Sequence, residues 1–229
     1  MLCLVVGLGP IGPSEVLLHF ELKLLPGNIA YVALNGFDDD MAAKEWDKHW
    51  PEISKANSII LDLRENEGGD DLVGDHILAT LLDKPALAVR STRWIATSRA
   101  RGNAETLLHD PAGTVEPDPA RHFSGPVVIL TSPRTFSAGE DMVIEFAQAH
   151  RGKFIGEPTA GSTGQPLWFK LSGGGLARVC TKHDSFEDGR EFVGVSIQPH
   201  IAAHLTRADI IAVRDPVLET VIRSLQTGP

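Results

Sequence analysis

Apolar positions fall in short continuous runs, divided by turns rich in glycine, proline and aspartate, and several runs are followed by segments with apolar spacing of three and four. From residue 28 the run Ile29-Ala-Tyr-Val-Ala-Leu34 reads as a strand, closed by Asn35-Gly36 and the acidic turn Asp38-Asp-Asp40. A helix is predicted over Met41 to Ile53, where Trp46, His49, Trp50 and Ile53 keep helical spacing and Pro51 is expected to break the last turn. Ser58-Ile-Ile-Leu-Asp-Leu63 is nearly all apolar, the pattern of a strand covered on both faces. It leads through Arg64-Glu-Asn-Glu-Gly-Gly-Asp70 into a helix predicted at about 71–83.

Residues 86–94 fit a further strand, and 96–124 read as one long irregular loop placed to cover a groove. Val127-Val-Ile-Leu-Thr131 is a strand, followed by a five-residue turn, Ser137, and a helix whose apolar face includes Met142, Val143 and Phe146. A short strand near Phe154-Ile155 and a glycine hairpin joining strands at 167–171 and 176–181 come next. The last helix has Asp215 as its N-cap and Pro216 at its first position. Strands alternating with helices predict an α/β layered sheet-and-helix core. Residues 1–27 read as an amino-terminal arm and 28–229 as the core.

A chain of 229 residues can bury a core without disulfide or metal staples. The net charge of −9 repels phosphates, and the nearest basic patch, Arg90 to Trp94 with Arg99 and Arg101, is followed by Glu105 and Asp110, so no nucleic-acid partner is expected. Cys3 and Cys180 lack metal or disulfide spacing, and His122, His150, His200 and His204 are scattered, so neither metal nor cofactor is expected. Met1 to Gly9 is apolar but lacks a charged start and is too short to span a bilayer; the compartment stays open.

Two stretches suggest chemistry. Gly7-Leu-Gly-Pro-Ile-Gly12 has dinucleotide-binding spacing at Gly7, Gly9 and Gly12, but Pro10 and Pro13 disfavour the helix that must open there. Ser137 stands where a strand turns into a helix, so the first unpaired helix N–H groups can stabilise an oxyanion; the same position also suits a serine that merely caps the helix. Ala138 N–H is one natural donor, and the Gly68-Gly69 turn is the best source of a second.

Four ordered stretches carry a resemblance: Ile60-Leu-Asp-Leu-Arg-Glu-Asn-Glu-Gly-Gly69, Ser137-Ala-Gly-Glu140, Gly156-Glu-Pro-Thr-Ala-Gly161, and Gly189-Arg190 with Gly194-Val-Ser-Ile-Gln-Pro199. Together they resemble the tail-specific, or carboxy-terminal processing, protease family of serine peptidases (S41-type), including its tricorn and interphotoreceptor-retinoid-binding-protein branches. The resemblance implies a ClpP/crotonase-like fold, Ser137 as nucleophile, and an oxyanion hole from Ala138 with Gly68 or Gly69. It also implies a peptide or protein substrate held near Ser162, Thr163 and Gln165, and it leaves a homo-oligomer open.

The sequence departs from the family at several points. The processing branch carries its basic lysine where this chain has Ser162, and the tricorn branch uses a histidine from a segment preceding a PDZ domain, which this chain lacks. Ser196 stands where the family has glycine and His200 where it has aspartate. Lys182 and His183 are the local candidates for the base; as neighbours on a strand only one can face Ser137. Glu191 is the candidate assisting acid. The expected activity is peptide hydrolysis through an acyl-enzyme, with ester hydrolysis, a non-catalytic binding protein of the same fold, and dinucleotide binding as the alternatives.

Overall fold

The computed structural model describes residues 5–7, 18–94, 107–110 and 112–226. Its strands begin with β1 (Val5–Gly7), β2 (Phe20–Leu25), β3 (Ile29–Leu34), β4 (Ser58–Asp62), β5 (Ala86–Leu87), β6 (Arg90–Trp94) and β7 (Leu107–Asp110). They continue with β8 (Thr114–Val115), β9 (Val127–Thr131), β10 (Lys153–Gly156), β11 (Pro166–Lys170), β12 (Leu176–Cys180), β13 (Lys182–Ser185) and β14 (Ile201–Ala202). The helices are α1 (Met41–Ile53), α2 (Asp71–Ala79), α3 (Ala138–Gln148), α4 (Arg207–Ile211) and α5 (Pro216–Gln226).

The central sheet has the order β14-β10-β9-β4-β3-β2, parallel throughout except for the antiparallel pair β2 and β3. All residues of β4 and β9 are buried because both sheet faces are covered. Ile59, Leu61 and Ile129 join the core with Trp46, Ile77, Val143 and Phe146 of α1 to α3. Ile60, Val128 and Leu130 face the other way, against Val217 and Val221 of α5. Each such side chain removed from water contributes about 1.5–3 kcal/mol. Helix α5 is also tied electrostatically: Arg64, at the end of β4, bridges Asp62 at 2.6 Å and the helix-capping Asp215 at 2.7 Å.

Two small sheets flank the carboxyl ends of β4 and β9, one of order β1-β12-β11 and the other β13-β6-β7. A third pair, β5 with β8, lies apart from them. These sheets carry side chains that surround Ser137.

Several boundaries differ from the sequence-based expectation. The amino-terminal arm is shorter, because Phe20–Leu25 is an edge strand of the central sheet. Pro51 does not break α1, which continues to Ile53; the carbonyl that loses its helical partner belongs to Asp47, an exposed residue. Helix α2 stops at Ala79, since the backbone N–H and hydroxyl of Thr80 both turn back to the carbonyl of Ile77. Residues 86–94 divide into β5 and β6, and the predicted loop at 96–124 contains β7 and β8; residues 95–106 lie outside the described part.

Candidate active site

Strand β9 ends at Thr131, and residues 132–136 fold back tightly before α3 begins. That turn is fastened to the end of β4 by Thr135 Oγ1 donating to Leu63 O (2.8 Å), Ser132 Oγ to Arg64 O (2.5 Å) and Phe136 N to Asn66 O (2.9 Å). Ser137 follows with φ 54° and ψ −124°, a sparsely populated conformation for a residue with a side chain. Such strain costs on the order of 1–3 kcal/mol and persists only where the surroundings impose it. The Ser137 hydroxyl makes no capping bond to α3, so the residue occupies the cap position without acting as a cap.

The glycine turn lies directly against this elbow. A Cβ on Gly68 (φ +90°) would come within 2.6 Å of Ser137 Cβ and 2.8 Å of the Phe136 carbonyl oxygen, so only glycine fits there. Asn66 is fully buried and organises the junction: its Oδ1 accepts from Gly68 N–H at 2.9 Å and its Nδ2 donates to Leu34 O at 2.9 Å. Gly68 N–H is thereby occupied, which leaves Gly69, on the cavity wall beside Ser137, as the glycine able to offer its N–H alongside Ala138.

One turn into α3, Glu140 is fully buried and clamps the following loop. Its carboxylate accepts from Thr159 Oγ1 (2.5 Å), Gly161 N–H (2.7 Å) and Ser162 N–H (2.7 Å), and Ser162 O in turn accepts from Ser137 N–H (3.2 Å). Burial raises the Glu140 carboxyl, and these hydrogen bonds oppose the rise. Ser196, where the resemblance implies glycine, is left-handed (φ 71°), and His200 packs edge-on to Phe154 with ring centroids 4.1 Å apart.

Two cavities border Ser137 and share Gly69, Thr163, Gly164 and Pro166 in their walls. One, of about 270 Å³, is lined by Phe136, Ser162, Thr163, Trp168, Arg178 and Cys180, among others. The other, of about 350 Å³, includes Asp71, Arg93, Asp141, Thr163, Gln165 and Lys182. The structure thus brings Lys182 into a cavity shared with Ser137, Ala138 and Gly69. His183 points to the opposite face of β13, where its Nε2 meets Glu191 at 2.6 Å; both side chains are exposed and line neither cavity.

Lys182 Nζ lies 3.1 Å from Asp184 Oδ2, and Asp184 is fully buried. Ser91 Oγ (2.6 Å) and Thr163 Oγ1 (2.7 Å) also donate to Asp184, so β6, β13 and the Ser162 loop converge on one carboxylate. Asp141 borders the same cavity with an unpartnered, buried Oδ1. Burial raises its carboxyl well above the usual range, against the pull of Lys182 and with help from Asp184, Asp71 and Glu140. Beneath it, burial likewise raises Glu145, reinforced by Asp75 and Asp141, and pushes Asp75 up to about 6.

Asn66, Asp141 and Arg178 had no role assigned from the sequence; their places at the site depend on contacts made across the fold. Gly7 lies on β1, which pairs antiparallel with β12 rather than entering the parallel sheet that a dinucleotide fingerprint needs, and Gly9 and Gly12 lie outside the described residues. Among the described residues no group of three His, Cys, Asp or Glu could hold a metal, and no helix is long and apolar enough to cross a membrane.

The sequence profile of peptidase family S41 matches residues 28–203. Among solved structures, a protein of Parabacteroides merdae whose peptidase assignment is itself provisional superposes with a TM-score of 0.76 at 21% identity, over 92% of this chain and 65% of its own. Mature CPAF complexed with lactacystin gives 0.74 at 14% identity, over 91% and 55% of the two chains. The photosystem II D1 C-terminal processing protease gives 0.61 at 19%, over 84% and 50%. The chain therefore spans 65% or less of the length of these structures.

Proposed function

The chain belongs to peptidase family S41, and from that premise we propose that it is a serine peptidase with Ser137 as its nucleophile. The observation that carries the reading is the strained, non-capping Ser137 at a strand-to-helix turn, lining two cavities. Ser137 Oγ attacks the scissile carbonyl, and Lys182 in its neutral form accepts the hydroxyl proton. Asp184 stabilises the ammonium that results. The developing oxyanion is met by the N–H groups of Ala138 and Gly69, each worth about 3 kcal/mol in the transition state. Lys182 returns the proton to the leaving amine, and water releases the acyl group from Ser137. Ser162, Thr163 and Gln165 border the substrate path, and an ester would be cleaved by the same steps.

The second reading is a binding protein of this fold without turnover. It is favoured by the placement of Lys182: its Nζ pairs with Asp184 at 3.1 Å, and among the described residues no hydrogen bond joins it to the Ser137 hydroxyl. Covalent labelling by a fluorophosphonate separates the two. Labelling of the wild type that disappears in Ser137→Ala supports the peptidase. A folded wild type that takes up no label rules it out.

A further inference from the structure

Arg178 lies on β12 directly opposite Trp168 of β11 in the antiparallel register. Its guanidinium sits over the Trp168 ring, 5.6 Å from the centroid, and over the ring of Phe136, the residue before the nucleophile, at 5.0 Å. Stacking on aromatic faces leaves the in-plane N–H groups of an arginine available, and their fork matches a carboxylate. Among the described residues no carboxylate lies within ion-pair distance of the Arg178 guanidinium and no group accepts a hydrogen bond from it. The other arginines around the site are engaged: Arg93 with Asp110 at 2.7 Å and Gln165 at 2.8 Å, and Arg134 with Glu65 at 2.7 Å and Glu67 at 3.2 Å.

This half-buried cation lines the same cavity as Ser137, Ser162 and Gly164. Two acids share the wall. Glu67 is bound to Arg134, and Asp38 stands beside Gly69, beyond ion-pair reach of Arg178. The cavity therefore presents a preoriented guanidinium between two rings, with apolar surface from Pro166 and Trp168 around it.

We propose that Arg178 is a specificity residue that receives a carboxylate of the substrate close to the bond attacked by Ser137. The proposal rests on the serine-peptidase reading for its place in catalysis, but the binding it describes is independent of turnover. The carboxylate has two sources, the side chain of an Asp or Glu residue or the free carboxyl end of a peptide, and the apolar surface at Pro166 and Trp168 takes the carbon atoms that carry it.

The test uses the full chain carrying Ser137→Ala, so that bound peptide is not consumed. An acetylated peptide library is titrated in three matched forms: free C-terminal carboxylate, C-terminal carboxamide, and carboxamide with one internal Glu in place of Gln. Binding about 10- to 100-fold tighter for a carboxylate form than for its neutral match is expected, the size of one charge-assisted bidentate contact. Preference for the first form assigns the chain end, and preference for the third assigns the side chain. Adding Arg178→Met should bring the ratio to about one, and Arg178→Lys should retain part of it; thermal melts confirm that both fold. Equal binding of all three forms, or a preference that survives Arg178→Met, overturns the proposal. Fluorophosphonate labelling of the parent protein reports separately on the serine-peptidase reading: carboxylate preference without labelling rejects that reading and leaves the binding site standing.

Discussion

The two cavities beside Ser137 differ in kind. On one side stand Asp71, Asp141, Lys182 and Arg93, with the buried Asp184 behind them; on the other stand Phe136 and Trp168 with Arg178 between the rings. The charged side contains Lys182, the base of the proposed mechanism, and is backed by raised carboxyls in α2 and α3. The aromatic side contains stacking surface and one fixed cation. On the proposed mechanism proton transfer belongs to one wall and recognition to the other, so substitutions on the two sides should alter different kinetic constants.

The largest expected effect is on the charged side. Lys182→Ala should lower kcat by about 10²- to 10⁴-fold, the usual contribution of a general base, with KM changed little. Steady-state hydrolysis of a fluorogenic peptide measures both. A rise in KM at unchanged kcat would move Lys182 into recognition and erase the distinction between the cavities.

The glycine turn packed against Ser137 comes next. Gly68→Ala would force a Cβ to 2.6 Å from Ser137 Cβ and 2.8 Å from a backbone oxygen, with φ at +90°. We expect a loss of about 1–3 kcal/mol in stability, seen as a lower urea midpoint, together with slower fluorophosphonate labelling because the elbow itself must shift. Unchanged labelling would mean that Ser137 tolerates displacement and that its strain is not functional.

The unequal legibility of these regions in the sequence has a physical basis. β4 and β9 were readable because strands buried on both faces need uninterrupted apolar runs, and Asp215-Pro216 announced α5 because a cap and a fixed φ are local properties. The position of Ser137 was equally local. Its strained φ was not, because the turn is imposed by bonds to Leu63, Arg64 and Asn66, far away in the chain. Lys182 reaches the site only because β13 pairs with β6, and Arg178 meets Trp168 only because the hairpin takes one register. The edge strand at Phe20–Leu25 does alternate in its sequence, yet half its surface is open, so its signal is weaker than that of the buried strands.

On the aromatic side, Trp168→Ala should raise KM about 5- to 20-fold and leave kcat within about twofold, since a ring contacting bound peptide contributes to binding without moving protons. Trp168 is 61% exposed, so its removal should leave the thermal midpoint nearly unchanged. A fall in kcat instead would show that the hairpin positions the nucleophile.

The smallest effect concerns protons stored under the charged cavity. Burial, aided by Asp71 and Asp70 and opposed by Glu145, holds Asp75 at about 6 against an ordinary value of 3.8. The folded protein therefore binds this proton more tightly than the unfolded chain does. The stability it contributes is fully present below about pH 4 and is lost as pH rises through about 6. Asp75→Asn carries no proton to lose, so its thermal midpoint should gain on that of the wild type between pH 4 and pH 7 and run parallel to it above. Trp168→Ala should leave the wild-type pH slope intact, because the aromatic wall has no comparable buried acid. Parallel curves for Asp75→Asn and wild type over the whole range would show that the Asp75 carboxyl titrates normally, removing its stored proton from the contrast between the two cavities.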